Sequence, residues 1–168
     1  MTVRITHSDA WIEGNYRYLL LRKWADGPVL GIGMLNPSTA DAERPDPTLL
    51  RCIHFASAWG FGGLIVFNPF ALRSPSPKAL LVAEDPIGPL NDNAICVALS
   101  KSHARLVAWG RPPHASLISR IKLVEQRILN HGGRVYCLGR TMEGYPKHPL
   151  ARGVHRVSND QQPIPYEV

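Results

Sequence analysis

The sequence predicts an α/β fold, a three-layer α/β/α sandwich around a mostly parallel central sheet. Four short apolar runs read as buried strands, at residues 29–35, 64–67, 106–110 and 135–139. Segments with apolar residues at helical spacing separate them. Short buried strands joined by helical crossovers are typical of a parallel sheet that is covered on both faces. We therefore expect about four core strands plus edge strands from the N-terminal segment.

The length and composition fit one domain spanning residues 1–168, because 168 residues, 45% of them hydrophobic, can bury a substantial core. No apolar stretch reaches the roughly 18 residues that indicate a membrane span, and residues 1–10 lack the pattern of a signal peptide. The three cysteines Cys52, Cys96 and Cys137 lie far apart, which argues against a disulfide framework. We expect a cytoplasmic protein that contacts no membrane, and we assume a monomer.

The N-terminal elements are predicted from turn and capping signals. Residues 3–5 and 16–24 flank a Gly14-Asn15 turn, which indicates a hairpin or edge strands. The run 29–35 then forms the central strand and ends at Asn36. Asp46-Pro47 supplies the N-cap and first-turn proline of a helix that ends near Gly60.

The second half of the chain alternates strands and helices. Asn91 and Asp92 are expected to cap a helix, and Gly132-Gly133 to end the next one. The elements follow in the order strand, helical turn, helix, strand, helix and strand, at residues 64–67, 78–82, 91–100, 106–110, 116–130 and 135–139.

Polar side chains follow the first two core strands. Asn36 and Asn68 each end a strand and each precede a proline. If the strands are parallel, both amides lie at the carboxyl edge of the sheet, where ligands bind and where amides can read a planar polar ligand. Ser38, Thr39 and Asp41 follow in the first loop and are candidate ligand-binding or catalytic residues. Turn formation alone is the alternative explanation, since Asn, Pro and Ser favour turns.

A third loop at the same edge follows the fourth strand. It runs from Arg140 to Leu150 and carries Lys147 and His148. A histidine fixed by its loop can donate a hydrogen bond to a developing anion, so His148 is a candidate catalytic residue.

The positive charge is concentrated in residues 101–156. Residues 101–156 contain eleven Lys or Arg and two Glu, a net charge of +9, while the whole chain carries +6. An arginine-rich segment of this kind indicates a surface that meets phosphates, with a merely solvated face as the alternative. We expect DNA as the partner, single-stranded or duplex, and Arg140, Lys147 and Arg152 among its contacts.

The sequence lacks the motifs of several other classes of enzyme. The sequence contains no dinucleotide fingerprint, Walker loop, nucleophile elbow or H-E-x-x-H motif. His54, His103 and His114 lack metal-ligand spacing. We therefore expect neither a metal nor another cofactor.

Three of these segments together resemble the uracil-DNA glycosylase superfamily in its mismatch-specific and single-strand-selective branches. They are Asn36-Pro37-Ser38, Asn68 and His148-Pro149-Leu150. Over most of its length the chain more closely resembles a bacterial and phage domain family of unknown function. That family carries the Asn-Pro-Ser-Thr-Ala-Asp signature, which here occupies residues 36–41.

The glycosylase resemblance implies a role for each matching residue. Asn36 would position the hydrolytic water, Asn68 would read the base, and His148 would stabilise charge on the departing base. Leu150 would act as a wedge in the duplex. The first motif lacks the aspartate found in the most active glycosylase branch, so Asn36 would orient the water rather than deprotonate it. In a second departure, Leu150 replaces the serine expected after His148-Pro149.

Two further roles are assigned by position. Asp41 or Asp46 is the candidate carboxylate beside a cationic sugar, although helix capping also explains Asp46. No aromatic residue occurs between Asn36 and Pro47, so Phe70 is the candidate stacking residue. The first hypothesis is therefore a DNA glycosylase of DNA repair, or a related N-glycosidic hydrolase, that acts on a damaged, mismatched or modified base flipped out of the stack. The alternatives are a non-catalytic nucleic-acid or nucleotide-binding module, and a pocket that acts on a free nucleotide.

Overall fold

A computed structural model of the chain describes residues 2–168, within which it has seven strands and three α-helices. In chain order they are β1 (His7–Glu13), β2 (Tyr16–Lys23), β3 (Val29–Gly33), α1 (Pro47–Ala58), β4 (Gly63–Phe67), α2 (Asn91–Lys101), β5 (Ala104–Val107), α3 (Ile118–Asn130), β6 (Arg134–Cys137) and β7 (Ile164–Pro165). Short 3₁₀ turns occupy Pro77–Leu81, Ala115–Leu117 and Gly153–His155.

All seven strands form one sheet in the order β1-β2-β4-β3-β5-β6-β7. The four central strands, β4, β3, β5 and β6, are parallel to one another. The outer pairs β1/β2, β2/β4 and β6/β7 are antiparallel. The predicted α/β fold is confirmed, but the expectation of a mostly parallel sheet is wrong because the sheet is mixed. A two-residue turn can join only antiparallel strands, so the N-terminal hairpin adds an antiparallel edge.

Both edges of the sheet differ from the sequence-based expectation. The predicted turn at Gly14-Asn15 is present, with Gly14 at a φ of 56°. Its first strand is β1, whereas residues 3–5 are not a strand. β1 is an edge strand in which all seven residues are exposed or half-buried, so it lacks a clear apolar signal. β7 was not predicted, since two residues carry no periodicity.

The helix starts differ in how they are capped. The Asp46 carboxylate accepts a hydrogen bond from the Leu49 N–H at 2.8 Å, which confirms the predicted start of α1. α2 has Leu90 at its N-cap and no side-chain cap, so the predicted cap at Asn91-Asp92 is wrong. Asn91 is instead buried in the first turn, where its amide nitrogen donates to the carbonyls of Asn68 and Pro69.

Two clusters of buried side chains form the core. The first contains residues of α2 and α3, such as Ile95 and Val124, and the second contains residues of α1, such as Phe55. On β3, Leu30 and Ile32 belong to the second cluster. A Cβ atom added at Gly33 would lie 3.4 Å from the Trp109 ring. The strand therefore packs closely against the segment that follows β5.

Candidate functional site

A cavity of about 400 Å³ opens where four loops meet at the carboxyl edge of the parallel strands. Residues that follow each of the four parallel strands line it, together with residues of β2, β4 and α1. The chain passes from β3 to β4 on one side and then to β5 on the other side of β3. The strand order therefore reverses between β3 and β5, the point at which open α/β sheets bind ligands.

Asn36 lines the cavity with a fixed amide orientation. Its Nδ2 donates to the carbonyls of Pro37, Leu72 and Ser74, at 3.2, 3.4 and 3.2 Å. A flipped amide would place Oδ1 against these three carbonyl oxygens, so the observed orientation is strongly favoured. The amide thus holds two loops together, and its Oδ1 remains an acceptor for a water or ligand in the cavity.

His148 lines the same cavity as a neutral hydrogen-bond donor. Its Nδ1 accepts the N–H of Leu150 at 3.0 Å, so the proton of the neutral ring lies on Nε2. Burial lowers the pKa of His148 below its usual value of 6.5, and Asp46 partly opposes this shift. The imidazole therefore stays neutral at pH 7 and presents Nε2–H as its donor.

The lowered pKa of His148 predicts a pH-dependent stability. As the pH falls below 6.5, the unfolded chain takes up the proton before the folded chain does, so wild-type stability should fall in this window. Well above pH 6.5, His148 is neutral in both the folded and the unfolded chain, so the stability is not reduced there. His148→Gln should show a shallower loss of unfolding free energy between pH 7.5 and 5, measured by urea denaturation. His131→Gln, at an exposed position, is the control; identical pH profiles for wild type and His148→Gln would contradict this account.

Arg17 brings a buried positive charge to the cavity from β2. Its side chain is 5% exposed, and its Nη1 donates to the Ala40 carbonyl at 2.9 Å. Among residues 2–168, no carboxylate forms an ion pair with it. Burial lowers the pKa of Arg17 to about 10, with Asp46 opposing, so the guanidinium remains charged at neutral pH.

Three arginines hold three successive carbonyls of the loop after β3, and we call them the arginine clamp. Two come from β2 and the third from the loop after β4. The pairs are Arg73 Nη2 with the Thr39 carbonyl at 3.4 Å, Arg17 Nη1 with the Ala40 carbonyl at 2.9 Å, and Arg22 Nη2 with the Asp41 carbonyl. The clamp fixes the backbone of residues 39–41 beside the cavity.

The remaining wall supplies a carboxylate, an aromatic ring and a thiol. Asp46 lines the cavity while it caps α1, and Trp109 follows β5. Cys52 of α1 is also in the wall, but burial raises the pKa of its thiol to about 12. The thiol therefore stays protonated and is a poor nucleophile.

A protein-family model matches residues 17–150 of the chain and is described as "Protein of unknown function (DUF1643)". The chain belongs to this family. The predicted membership of a domain family of unknown function is thereby confirmed. No curated protein and no solved structure matches the chain. The region shared with the family contains every residue that lines the cavity, from Arg17 to His148, and ends before Arg152.

Within this family domain, the structure brings four of the predicted residues to the cavity: Asn36, Ser38, Asp46 and His148. Asn68 and Phe70 do not line it. Phe70 packs in the first core cluster. Asn68 is 1% exposed, and its side-chain amide has no hydrogen-bond partner among residues 2–168. Their base-reading and stacking roles remain predictions, and Trp109 is the aromatic residue that the cavity contains.

Thr39 and Asp41 line an adjoining groove rather than the cavity. The Asp41 carboxylate accepts the N–H groups of Arg44 and Glu43 at 2.8 and 2.9 Å. These hydrogen bonds lower the pKa of Asp41. Asp41 is thus engaged in its own turn, and Asp46 is the carboxylate that reaches the cavity.

The residues predicted to bind DNA separate into two places. Leu150 and Arg152 line a second cavity of about 680 Å³ together with Arg51 and Arg156, which we call the basic groove. Arg152 and Arg156 are exposed, and their side chains form no ion pair within residues 2–168. Lys147 is half-buried beside Gly139.

Arg140 lies elsewhere. Its guanidinium donates to the carbonyls of Gly144 and Glu167 and stacks on the Tyr166 ring at 4.2 Å. These contacts tie the loop after β6 to the C-terminal residues. Arg140 is thus engaged within the protein, and its predicted role in DNA contact stays a prediction.

The positive segment 101–156 is also not one continuous surface. Arg105 is buried and donates to the carbonyls of Leu99 and Gly132, and buried Arg120 pairs with Asp92 at 2.8 Å. These arginines stabilise the interior. The phosphate-binding prediction accordingly narrows to the exposed arginines of the basic groove.

Neither a metal centre nor a membrane span is found in the described part of the chain. Within residues 2–168, no group of three or more His, Cys, Asp or Glu side chains is arranged to hold a metal ion. No helix in the same range is long and apolar enough to cross a membrane.

Proposed function

We propose that this protein is a DNA glycosylase-like hydrolase that cleaves the N-glycosidic bond of a flipped base. The observation that carries the proposal is His148, a neutral donor held by its loop in the wall of a cavity at the strand-order reversal. Such a donor stabilises negative charge that builds on a departing base, because it is oriented before the reaction begins. The cavity volume of about 400 Å³ is within the usual range for small-ligand pockets.

The other cavity residues supply matching roles. Asn36 Oδ1 accepts a hydrogen bond from the attacking water and orients it. Asp46 places a carboxylate where a cationic sugar would develop, and it takes this role in place of Asp41. Trp109 offers an aromatic wall for the base.

The fold and the surface support the same proposal. We infer the three-layer α/β/α arrangement from the two core clusters, one with α1 and the other with α2 and α3. The DNA backbone would follow the basic groove, with Arg152 and Arg156 at phosphates. Leu150, which is 41% exposed, would enter the base stack as a wedge.

One observation favours a second candidate function, a non-catalytic nucleotide or nucleic-acid-binding module. Asn36 cannot act as a general base, and Asp46 already accepts the N–H of Leu49 as a helix cap. A cavity with so little basic capacity suits binding without turnover.

The test of hydrolysis is the conversion of a base to an abasic site. Oligonucleotides with uracil, a mismatched pyrimidine, a deaminated purine or a phage-type modified base are incubated with the protein and then treated with alkali. We expect strand cleavage at the altered position with at least one substrate, and none with the unmodified oligonucleotide. Alkali-stable strands across the whole panel would remove the hydrolase and leave the binding module.

A further inference from the structure

The most unusual group in the cavity is the Arg17 guanidinium. Of its three nitrogens, Nη1 alone has an acceptor among residues 2–168, and that acceptor is a neutral carbonyl. Among the described residues that line the cavity, Asp46 is the one carboxylate, and it forms no ion pair with Arg17. The cavity thus contains a buried cation without a direct anionic partner.

Burying a charge without a partner is costly, so a folded protein keeps such a charge for a reason. Support of the loop after β3 accounts for only one of the three nitrogens. Arg22, on the same strand and 3% exposed, provides a comparison: both of its terminal nitrogens donate to carbonyls, and it does not line the cavity. Support of neighbouring carbonyls thus occupies two of the three nitrogens of Arg22, but only one of the three nitrogens of Arg17, the arginine that lines the cavity.

The surroundings of Arg17 suit an anionic oxygen. Thr48, in the first turn of α1, and Ser38 add hydroxyl groups to the cavity wall. The N-terminus of a helix favours negative charge, and a guanidinium binds phosphate oxygens through parallel N–H groups. Trp109 and Asn36 offer contacts for an aromatic, polar group in the same cavity.

We propose that Arg17 binds a phosphate of the ligand, so that the cavity recognises a nucleotide and not a base or nucleoside alone. The proposal rests on the proposed function in one respect, the assignment of a nucleobase to this cavity. The phosphate belongs either to a free nucleoside monophosphate or to the backbone of a flipped nucleotide in DNA.

The experiment is calorimetric titration of the full chain with defined probes. These are the four deoxynucleosides, their 5′-monophosphates, inorganic phosphate, and a single-stranded oligonucleotide without terminal phosphates. The wild type should bind at least one monophosphate more tightly than its nucleoside. Arg17→Met should lose about 10- to 100-fold in affinity for that monophosphate, since a hydrogen bond to a charged group contributes on this scale. Arg17→Lys, which keeps the charge, should retain part of the preference.

Arg22→Met is the matched control, because it also removes one contact of the arginine clamp. It should keep the preference for the monophosphate, and melting temperatures show whether each variant is folded. If Arg17→Met loses affinity for the oligonucleotide as well as for the monophosphate, the phosphate that Arg17 binds belongs to DNA. If Arg17→Met loses affinity for the monophosphate alone, that phosphate belongs to a free nucleotide.

The proposal is overturned if wild type shows no preference for monophosphates, or if Arg17→Met and Arg22→Met change that preference equally. Its failure is distinct from failure of the hydrolase. A phosphate preference that depends on Arg17, without base release from any substrate, would reject the hydrolase and support the nucleotide site. If Arg17→Met releases the base with the kcat and KM of wild type, the hydrolase is supported and the phosphate-binding role of Arg17 is rejected.

Discussion

Replacing His148 with alanine should lower the rate of base release by about 10²–10³-fold, which is the usual effect of removing one preorganised donor to a developing anion. The variant loses the Nε2–H group but keeps the charge of the cavity, because the imidazole is neutral at pH 7. Single-turnover rates on the most reactive oligonucleotide measure the effect. Binding of undamaged DNA should change little.

His131→Ala is the control for that measurement, since this exposed histidine follows α3 and does not line the cavity. Asn36→Ala should lose about 10²-fold, because the attacking water is no longer held in position. This variant in addition frees three carbonyls that the Asn36 amide holds, so its melting temperature should fall. A His148→Ala enzyme that matches wild type in rate would remove His148 from the chemistry.

DNA affinity should fall steeply with salt, by roughly 10³–10⁵-fold between 50 and 200 mM if six to ten phosphates are contacted. Arg152→Gln combined with Arg156→Gln should reduce the slope of log affinity against log salt by about 2, close to one unit for each lost phosphate contact. Fluorescence anisotropy with a labelled oligonucleotide at several salt concentrations gives the slope.

Arg134→Gln is the matched control for the basic groove. This exposed arginine belongs to the same positive segment but begins β6, at the amino edge of the parallel strands. Its slope should equal that of wild type. Equal reductions in Arg134→Gln and in the double variant would mean that DNA meets the positive charge without a defined path.

The position of the cavity could be predicted from the sequence, because the ends of the apolar runs mark the ends of the strands. Asn36 and His148 follow apolar runs, and parallel strands bring their carboxyl ends to one edge. The same rule applied to Asn68 and Phe70 identified residues that do not line the cavity. A strand end fixes where a loop starts, whereas the path of the loop decides which side chains turn into the core.

Arg17 and Trp109 are two of the cavity residues that sequence reasoning missed, each for a different reason. Arg17 lies in a segment that reads as scaffold, and only the sheet order places β2 beside β4. The available signal was an arginine placed between two tyrosines, just before the apolar run of β2. Trp109 was taken as part of the third core strand, yet β5 ends at Val107. Trp109 belongs to the first core cluster and also lines the cavity, and an apolar residue with both positions shows only the first of them in a sequence.

The arginine clamp fixes residues 39–41 when the chain folds, before any ligand arrives. Ordering a flexible loop costs about 1–2 kcal/mol of backbone conformational entropy per residue, and here that cost is met during folding. Ligand binding then needs no ordering of residues 39–41, which favours tighter and faster association. The same contacts make the geometry of the cavity depend on the N-terminal hairpin: a substitution that shifts β2 would reshape the ligand site from outside the loops that form its rim.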